Sequence, residues 1–148
     1  MTIPRLTTLT LGVDDLSVAT AFYRQVFGLQ PRDDYEGVVF FELSGTWLIL
    51  YPRDKLAEDI GPDIISAAPG DRGFNGITLA YNARSQEEVR AVFAQVAAAG
   101  ATIAKAPQDT FWGGYSGYFQ DPDGYYWEVV WGPMFDHAPD GSLLFRND

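Results

Sequence analysis

Two stretches of the chain carry hydrophobic and polar positions in the same order. Leu6 to Val13 alternates with period two, so Leu9, Leu11 and Val13 share one side of a strand and Thr8, Thr10 and Gly12 the other. Leu16, Ala19, Phe22, Tyr23 and Val26 then recur at helical spacing. Asp14 or Asp15 is placed to cap that helix and Gly28 to end it. Gly37 to Leu43 and Thr46 to Tyr51 follow as strand-like runs, split by Ser44-Gly45. The order returns from Gly76 to Tyr81, where Ile77, Leu79 and Tyr81 alternate with Gly76, Thr78 and Ala80. Ser85-Gln86-Glu87-Glu88 is a capping-box sequence, Val89, Val92, Phe93 and Val96 form an apolar stripe, and Gly100 stops the helix. Ala101 to Ala104 reads as another strand.

A hairpin completes the second repeat. Asp121-Pro122-Asp123-Gly124 has the composition of a tight turn. Tyr115 to Gln120 precedes it and Tyr125 to Trp131 follows, both rich in aromatic or β-branched residues. On the second strand Tyr125, Trp127, Val129 and Trp131 share one face, and Tyr126, Glu128 and Val130 the other. A carboxylate between apolar neighbours on a central-looking strand calls for a partner, a metal or a function. The fold expected from these patterns is α+β, with two tandem βαβββ modules at about residues 5–52 and 73–133. Residues 53–72 read as a linker rich in Pro, Gly and charge, with one helical turn near Leu56 to Ile60. The tail, residues 134–148, holds a Pro-Asp-Gly turn and then Leu143, Leu144 and Phe145, which suits a flap, an intersubunit arm or a frayed end.

Composition narrows the function. A hydrophobic content of 47% and an aromatic content of 15% exclude a disordered chain. A formal charge of −10 argues against nucleic acid and anionic membrane, and favours a cationic ligand or simply a well-solvated surface. The absence of cysteine removes disulfides, thiol nucleophiles and thiolate-bound metals. The first residues carry no signal-like apolar region and no run is long enough to span a bilayer, so a cytoplasmic protein is expected. The small residues Thr8, Thr10, Gly12, Gly76, Thr78 and Ala80 on one side of the two opening strands leave room for a ligand-sized cavity.

With these pieces assembled, the chain resembles the vicinal oxygen chelate superfamily, the glyoxalase, bleomycin-resistance and extradiol-dioxygenase group. The resemblance is carried by TLTLGVDDLSVATAFYRQVFGL, by the repeat itself and, most specifically, by GYFQDPDGYYWEVVWGP. It implies paired βαβββ modules forming an incomplete barrel around a cavity, in which the enzymes of the group hold a divalent metal. Position by position, the family's carboxylate falls on Glu128, whereas its two histidines fall on Thr8 and Gly76 and its fourth ligand near Ile49. One ligand of four survives. A zinc site takes three or four protein ligands and non-haem iron two histidines and a carboxylate, so no metal is expected. His137, the single histidine, lies in the tail outside this set.

The expected ligand-binding set is therefore Thr8, Thr10, Trp47, Ile49, Tyr51, Gly76, Thr78, Trp112, Tyr115, Tyr126 and Glu128. Glu128 has three readings: a structural carboxylate bonded to Thr8, Thr10 or Thr78, an anchor for a ligand's cation or donor, or a lone general base beside a substrate carbonyl. The aromatic residues are either cavity wall or ordinary core. Trp112-Gly113-Gly114-Tyr115 reads as a mobile gate or as a tight turn. The leading function is metal-independent binding of a small cationic or aromatic molecule by a homodimer. Open sheet edges would be hidden by pairing modules within or between chains. A glyoxalase-like lyase or isomerase, or a dioxygenase, with an altered divalent-metal site is the second reading. A structural protein with a filled cavity is the third.

Overall fold

The alternating runs pair into two separate sheets, one in each half of the chain. The computed structural model describes residues 1–147. It divides into unit one, Met1–Asn75, and unit two, Gly76–Asp148. Unit one holds β1 (Thr8–Val13), α1 (Leu16–Phe27), β2 (Val39–Phe41), β3 (Trp47–Pro52) and α2 (Arg53–Ile60). Unit two holds β4 (Leu79–Asn82), α3 (Gln86–Ala98), β5 (Thr102–Asp109), β6 (Tyr115–Gln120), β7 (Tyr126–Trp131), β8 (Phe135–His137) and β9 (Leu143–Phe145).

The two units share a strand order. In unit two it is β4-β7-β6-β5, with the first strand parallel to the last and the rest antiparallel. In unit one it is β1-β3-β2, again with the first strand parallel to the last. The remaining strand of the βαβββ pattern shrinks there to one bridge, Arg32 to Phe40, closed by backbone hydrogen bonds of 2.8 and 2.9 Å. The α+β class with tandem βαβββ units is thus the fold that forms.

In unit one the alternation does what it predicts. Leu11, Val13, Val39, Phe41, Leu48 and Leu50 are buried together with Ala19, Phe22 and Tyr23 of α1. Asp15, not Asp14, caps α1, its carboxylate accepting from Val18 N–H at 3.1 Å. Asp14 is engaged instead by Arg72, which grips it with two bonds of 2.7 and 2.8 Å, and Arg53 lies 3.9 Å away. The expected linker is more ordered than one helical turn. It contains eight-residue α2 and a short 3₁₀ turn at Pro69–Asp71. The reason lies in Gly12, where a Cβ would meet Arg53 Cα at 3.1 Å and Leu56 Cδ2 at 3.3 Å. The missing side chain lets α2 pack onto the sheet, so part of the small-residue face expected to border a cavity is covered by the chain's own helix.

Unit two departs from expectation at its start. The predicted strand from Gly76 to Tyr81 begins instead at Leu79, because Gly76 adopts φ +83° and turns the chain before it can pair. The first cross-strand partner is Leu79 with Trp127. Val89, Phe93 and Val96 of α3 are buried against the sheet. Phe119 meets Phe93 edge to face at 6.3 Å and stacks on Trp127 at 6.0 Å. β5 runs to Asp109, well beyond the expected Ala104, with irregular register between Ile103 and Gln108. Gly117 permits that close approach: a Cβ there would sit 2.6 Å from Lys105 O and 2.7 Å from Phe93 Cζ.

The described part of the tail, residues 134–147, is folded. β8 and β9 form a hairpin around the predicted Pro-Asp-Gly turn, and Arg146 N–H returns to Met134 O at 2.7 Å. His137 Nε2 bonds Asn82 O at 3.0 Å, tying the hairpin to the end of β4. Trp112 is also fixed. A Cβ on either Gly114 or Gly132 would strike its indole, so two glycines make the slot it fills. The loop closes through Thr110 N–H to Gly114 O and Gly114 N–H to Thr110 Oγ1. The tight-turn reading of Trp112-Gly113-Gly114-Tyr115 is the one this geometry matches.

Two outcomes follow from this packing. Gly117→Ala should lower unfolding free energy by about 1–3 kcal/mol, because backbone rather than a flexible side chain blocks the added methyl; a reduced urea midpoint at unchanged slope checks it. The second concerns Tyr81, whose hydroxyl donates to Glu88 Oε1. Burial, then the Glu88 hydrogen bond and charge, push this phenol up to about 12 from 10.0. The unfolded chain therefore loses its proton first as pH rises. The stabilisation is complete below about pH 10 and disappears as pH approaches 12. Tyr81→Phe should flatten the fall of the melting temperature across that window.

Candidate functional site

The Asp121 turn sets the register on which the site depends. Asp121 is 4% exposed, and its Oδ1 accepts from the N–H groups of Asp123 and Tyr125 at 2.9 Å each. Gly124 N–H closes the turn onto Asp121 O at 3.0 Å. Counting outward, Gln120 pairs with Tyr126, Tyr118 with Glu128 and Ser116 with Val130. On the far side of β7, Glu128 pairs with Ala80 and Val130 with Asn82. One face of the sheet therefore presents Glu128, Tyr126, Tyr118, Gln120, Ser116, Ala80 and Asn82. The opposite face carries Phe119, Trp127 and Val129 against α3.

Glu128 is half-buried, and the groups around it are hydroxyls. Ser116, 6% exposed, donates from Oγ to Glu128 Oε2 at 2.9 Å. The Tyr118 phenol is raised above its ordinary value by burial first, then by the charge of Glu128 and by its hydrogen bond to that carboxylate. A negative neighbour and a retained hydrogen bond both penalise the phenolate, so Tyr118 stays a donor. The ion pairs found among the described residues, Arg32–Glu42, Arg53–Asp14, Arg72–Asp14 and Arg146–Asp136, engage other acids. Lys105 pairs with Tyr118 from β5 and is exposed.

The other expected site residues divide between the two units. In unit one Thr8 pairs with Trp47, Thr10 with Ile49 and Gly12 with Tyr51, with Phe40 opposite Ile49 from β2. That places Thr8, Thr10, Trp47, Ile49 and Tyr51 on one face, away from the α1 core. Phe40 meets Trp47 at 6.4 Å and Tyr35 at 6.1 Å, both edge to face. In unit two Tyr126 shares the Glu128 face, whereas Gly76 and Thr78 precede β4. Tyr115 departs from its expected place. It pairs with Trp131 on the helix side, and Arg90 of α3 sits over its ring at 5.3 Å. Glu128, expected to bond Thr8, Thr10 or Thr78 if structural, has Ser116 and Tyr118 as its partners here. Neither was in the sequence-derived set, although the four-residue turn fixes both as neighbours of Glu128 and its face.

The donor chemistry bears on a metal. Thr8 offers a weak alcohol ligand, Gly76 no side chain and Ile49 only hydrocarbon. Among the described residues no group of three or more His, Cys, Asp or Glu is placed to hold an ion. The residues present do not fit a divalent centre of the family type. No helix among them is long and apolar enough to cross a membrane.

The Glu128–Tyr118 pairing gives a direct expectation. Glu128→Gln removes the charge that helps hold the Tyr118 proton, so Tyr118 should ionise at lower pH. Ultraviolet difference titration of tyrosinate, with Tyr118→Phe identifying the transition, reads the change; an unmoved transition would mean that the carboxylate does not act on the phenol.

Comparisons with known proteins place the molecule. The family profile for the glyoxalase/bleomycin resistance protein/dioxygenase superfamily matches residues 5–129. A metallothiol transferase FosB from Shouchella clausii is 32% identical over 131 residues, covering 85% of this chain and 79% of that protein. The crystal structure of a glyoxalase-related enzyme from Fulvimarina pelagi superposes with a TM-score of 0.84 at 29% identity, covering 98% of this chain and all of that one. A lactoylglutathione lyase from Agrobacterium tumefaciens gives a TM-score of 0.66 at 28% identity, covering 88% and 96%. The sequence motifs, the repeated strand order and these likenesses agree: this chain belongs to the glyoxalase/bleomycin resistance protein/dioxygenase superfamily.

Proposed function

We propose that this protein binds a small organic molecule, cationic or aromatic, against the Glu128 face of unit two, and that it does so without a resident metal. The observation that carries the reading is the environment of Glu128: a half-buried carboxylate held by the neutral hydroxyls of Ser116 and Tyr118. Hydroxyl donors stabilise the anion while leaving its charge in place for a ligand. Tyr118 and Tyr126 on the same face supply rings that can stack on a flat molecule or take a cation over their π-faces. The chain's net charge of −10 adds a field that draws cations. A cytoplasmic homodimer completes the proposal, its exposed strand edges covered by a second copy.

A second reading has one specific support, the 32% identity to a metallothiol transferase. On that reading the protein is an enzyme of the same kind, and a divalent metal binds through Glu128 with ligands other than the family's histidines.

Thermal denaturation in excess chelator separates the two. A ligand at a hundred times its Kd stabilises the native state by about 2.7 kcal/mol. Benzamidine should raise the melting temperature, benzoate should not, and Glu128→Gln should abolish the benzamidine effect. Stabilisation by Mn²⁺ or Zn²⁺ alone, with chelator omitted, would overturn the metal-free reading in favour of the transferase.

A further inference from the structure

We propose that Ser116 and Tyr118 are the selectivity-setting residues of the Glu128 site, orienting its carboxylate so that it takes a planar organic cation in preference to the neutral molecule of the same shape. The inference rests on the binding reading above and adds residues and a ligand class to it.

The geometry carries it. Ser116 lies on β6 opposite Val130 and is nearly fully buried, so its hydroxyl has little freedom to turn elsewhere. Its 2.9 Å bond to Oε2 fixes the rotation of the carboxylate. Tyr118 is the direct cross-strand neighbour of Glu128 on the same face, where side chains of paired residues stand about 4.5–5.5 Å apart. An ionised carboxylate has roughly four acceptor positions. Two hydroxyls leave acceptor capacity unused, and a planar amidinium with parallel N–H groups can take it. The Tyr118 ring stands on the same face as Glu128, a π-surface for a flat cation. An amide of equal shape would gain the stacking but not the charge-assisted bonds. Both residues act through Glu128 and are positioning residues.

Isothermal titration in chelator with benzamidine and with benzamide, its uncharged counterpart, tests the assignment. Wild type should prefer benzamidine. Ser116→Ala and Tyr118→Phe should each weaken benzamidine by about tenfold, the range of a lost bond to a charged group, and leave benzamide unchanged. Ser116→Thr, which keeps the hydroxyl, should retain the preference. Circular dichroism confirms folding; Tyr118→Phe keeps ring and volume and carries the test alone should Ser116→Ala not fold. If both variants keep the wild-type preference while Glu128→Gln loses it, the positioning role is wrong and the Glu128 reading stands. If wild type shows no preference, or Glu128→Gln keeps it, the binding reading falls and this inference with it.

Discussion

A single buried carboxylate, that of Asp121, decides what the most informative part of this molecule can do. By accepting two backbone N–H groups it locks a four-residue turn, and a locked turn leaves one register for the strands on either side. A slip by one residue would carry Glu128 onto the α3 side, beside Phe119 and Phe93, where an apolar core would have to take a charge. It would also send Trp127 to the face where Ser116 and Tyr118 now meet Glu128. The hydrophobic core and the polar face are thus two consequences of one turn, and neither could be changed without the other.

The two units show how one strand plan supports different chemistry. Ile49 holds in unit one the register position that Glu128 holds in unit two. Ile49 lies between Thr10 and Phe40, Glu128 between Ala80 and Tyr118. In unit one the antiparallel neighbour Phe40 has no hydroxyl and joins an edge-to-face series with Tyr35 and Trp47. In unit two the equivalent ring has gained an O–H, and Ser116 adds another. On the antiparallel side the hydroxyl stands where the carboxylate is and is missing where it is not, in keeping with the cost of a half-buried charge; on the parallel side the order is reversed, Thr10 beside Ile49 and Ala80 beside Glu128.

Most of the fold was legible because period-two and helical patterns are read directly by burial. Leu11, Val13 and Leu50 are core, and Gly28 and Ser85 stand at the helix ends their types suggest. What was not legible were facts about space between elements. Gly12 reads as one more small residue until Arg53 and Leu56 are seen against it, which is why α2 looked like linker. Gly114 and Gly132 suggest flexibility by type, yet they are small because Trp112 needs the room. Tyr115 resembles the cavity aromatics by kind, whereas strand parity counted through the Asp121 turn puts it on the α3 side, where Arg90 lies over its ring. The same count would have identified Ser116 and Tyr118 from sequence. The family's ligand positions fall on Thr8, Ile49, Gly76 and Glu128, and the hydroxyls around Glu128 belong to none of them.

That replacement has an energetic logic. A carboxylate moved into a partly buried position loses hydration, and a lysine or arginine partner would restore much of the loss while cancelling the charge. Hydroxyls give less, about 1.5–3 kcal/mol for each bond to a charged group, but they leave the site negative. Metal-binding carboxylates are hydrogen-bonded too, so it is Thr8, Gly76 and Ile49 at the other ligand positions, not the hydroxyls, that set this site apart from a metal centre of the family type. A half-buried carboxylate bonded to O–H groups leaves acceptor positions that a cation can take. On the proposed binding reading, the Ser116–Glu128–Tyr118 arrangement is a site that is held in place while empty and keeps acceptor capacity for a cation.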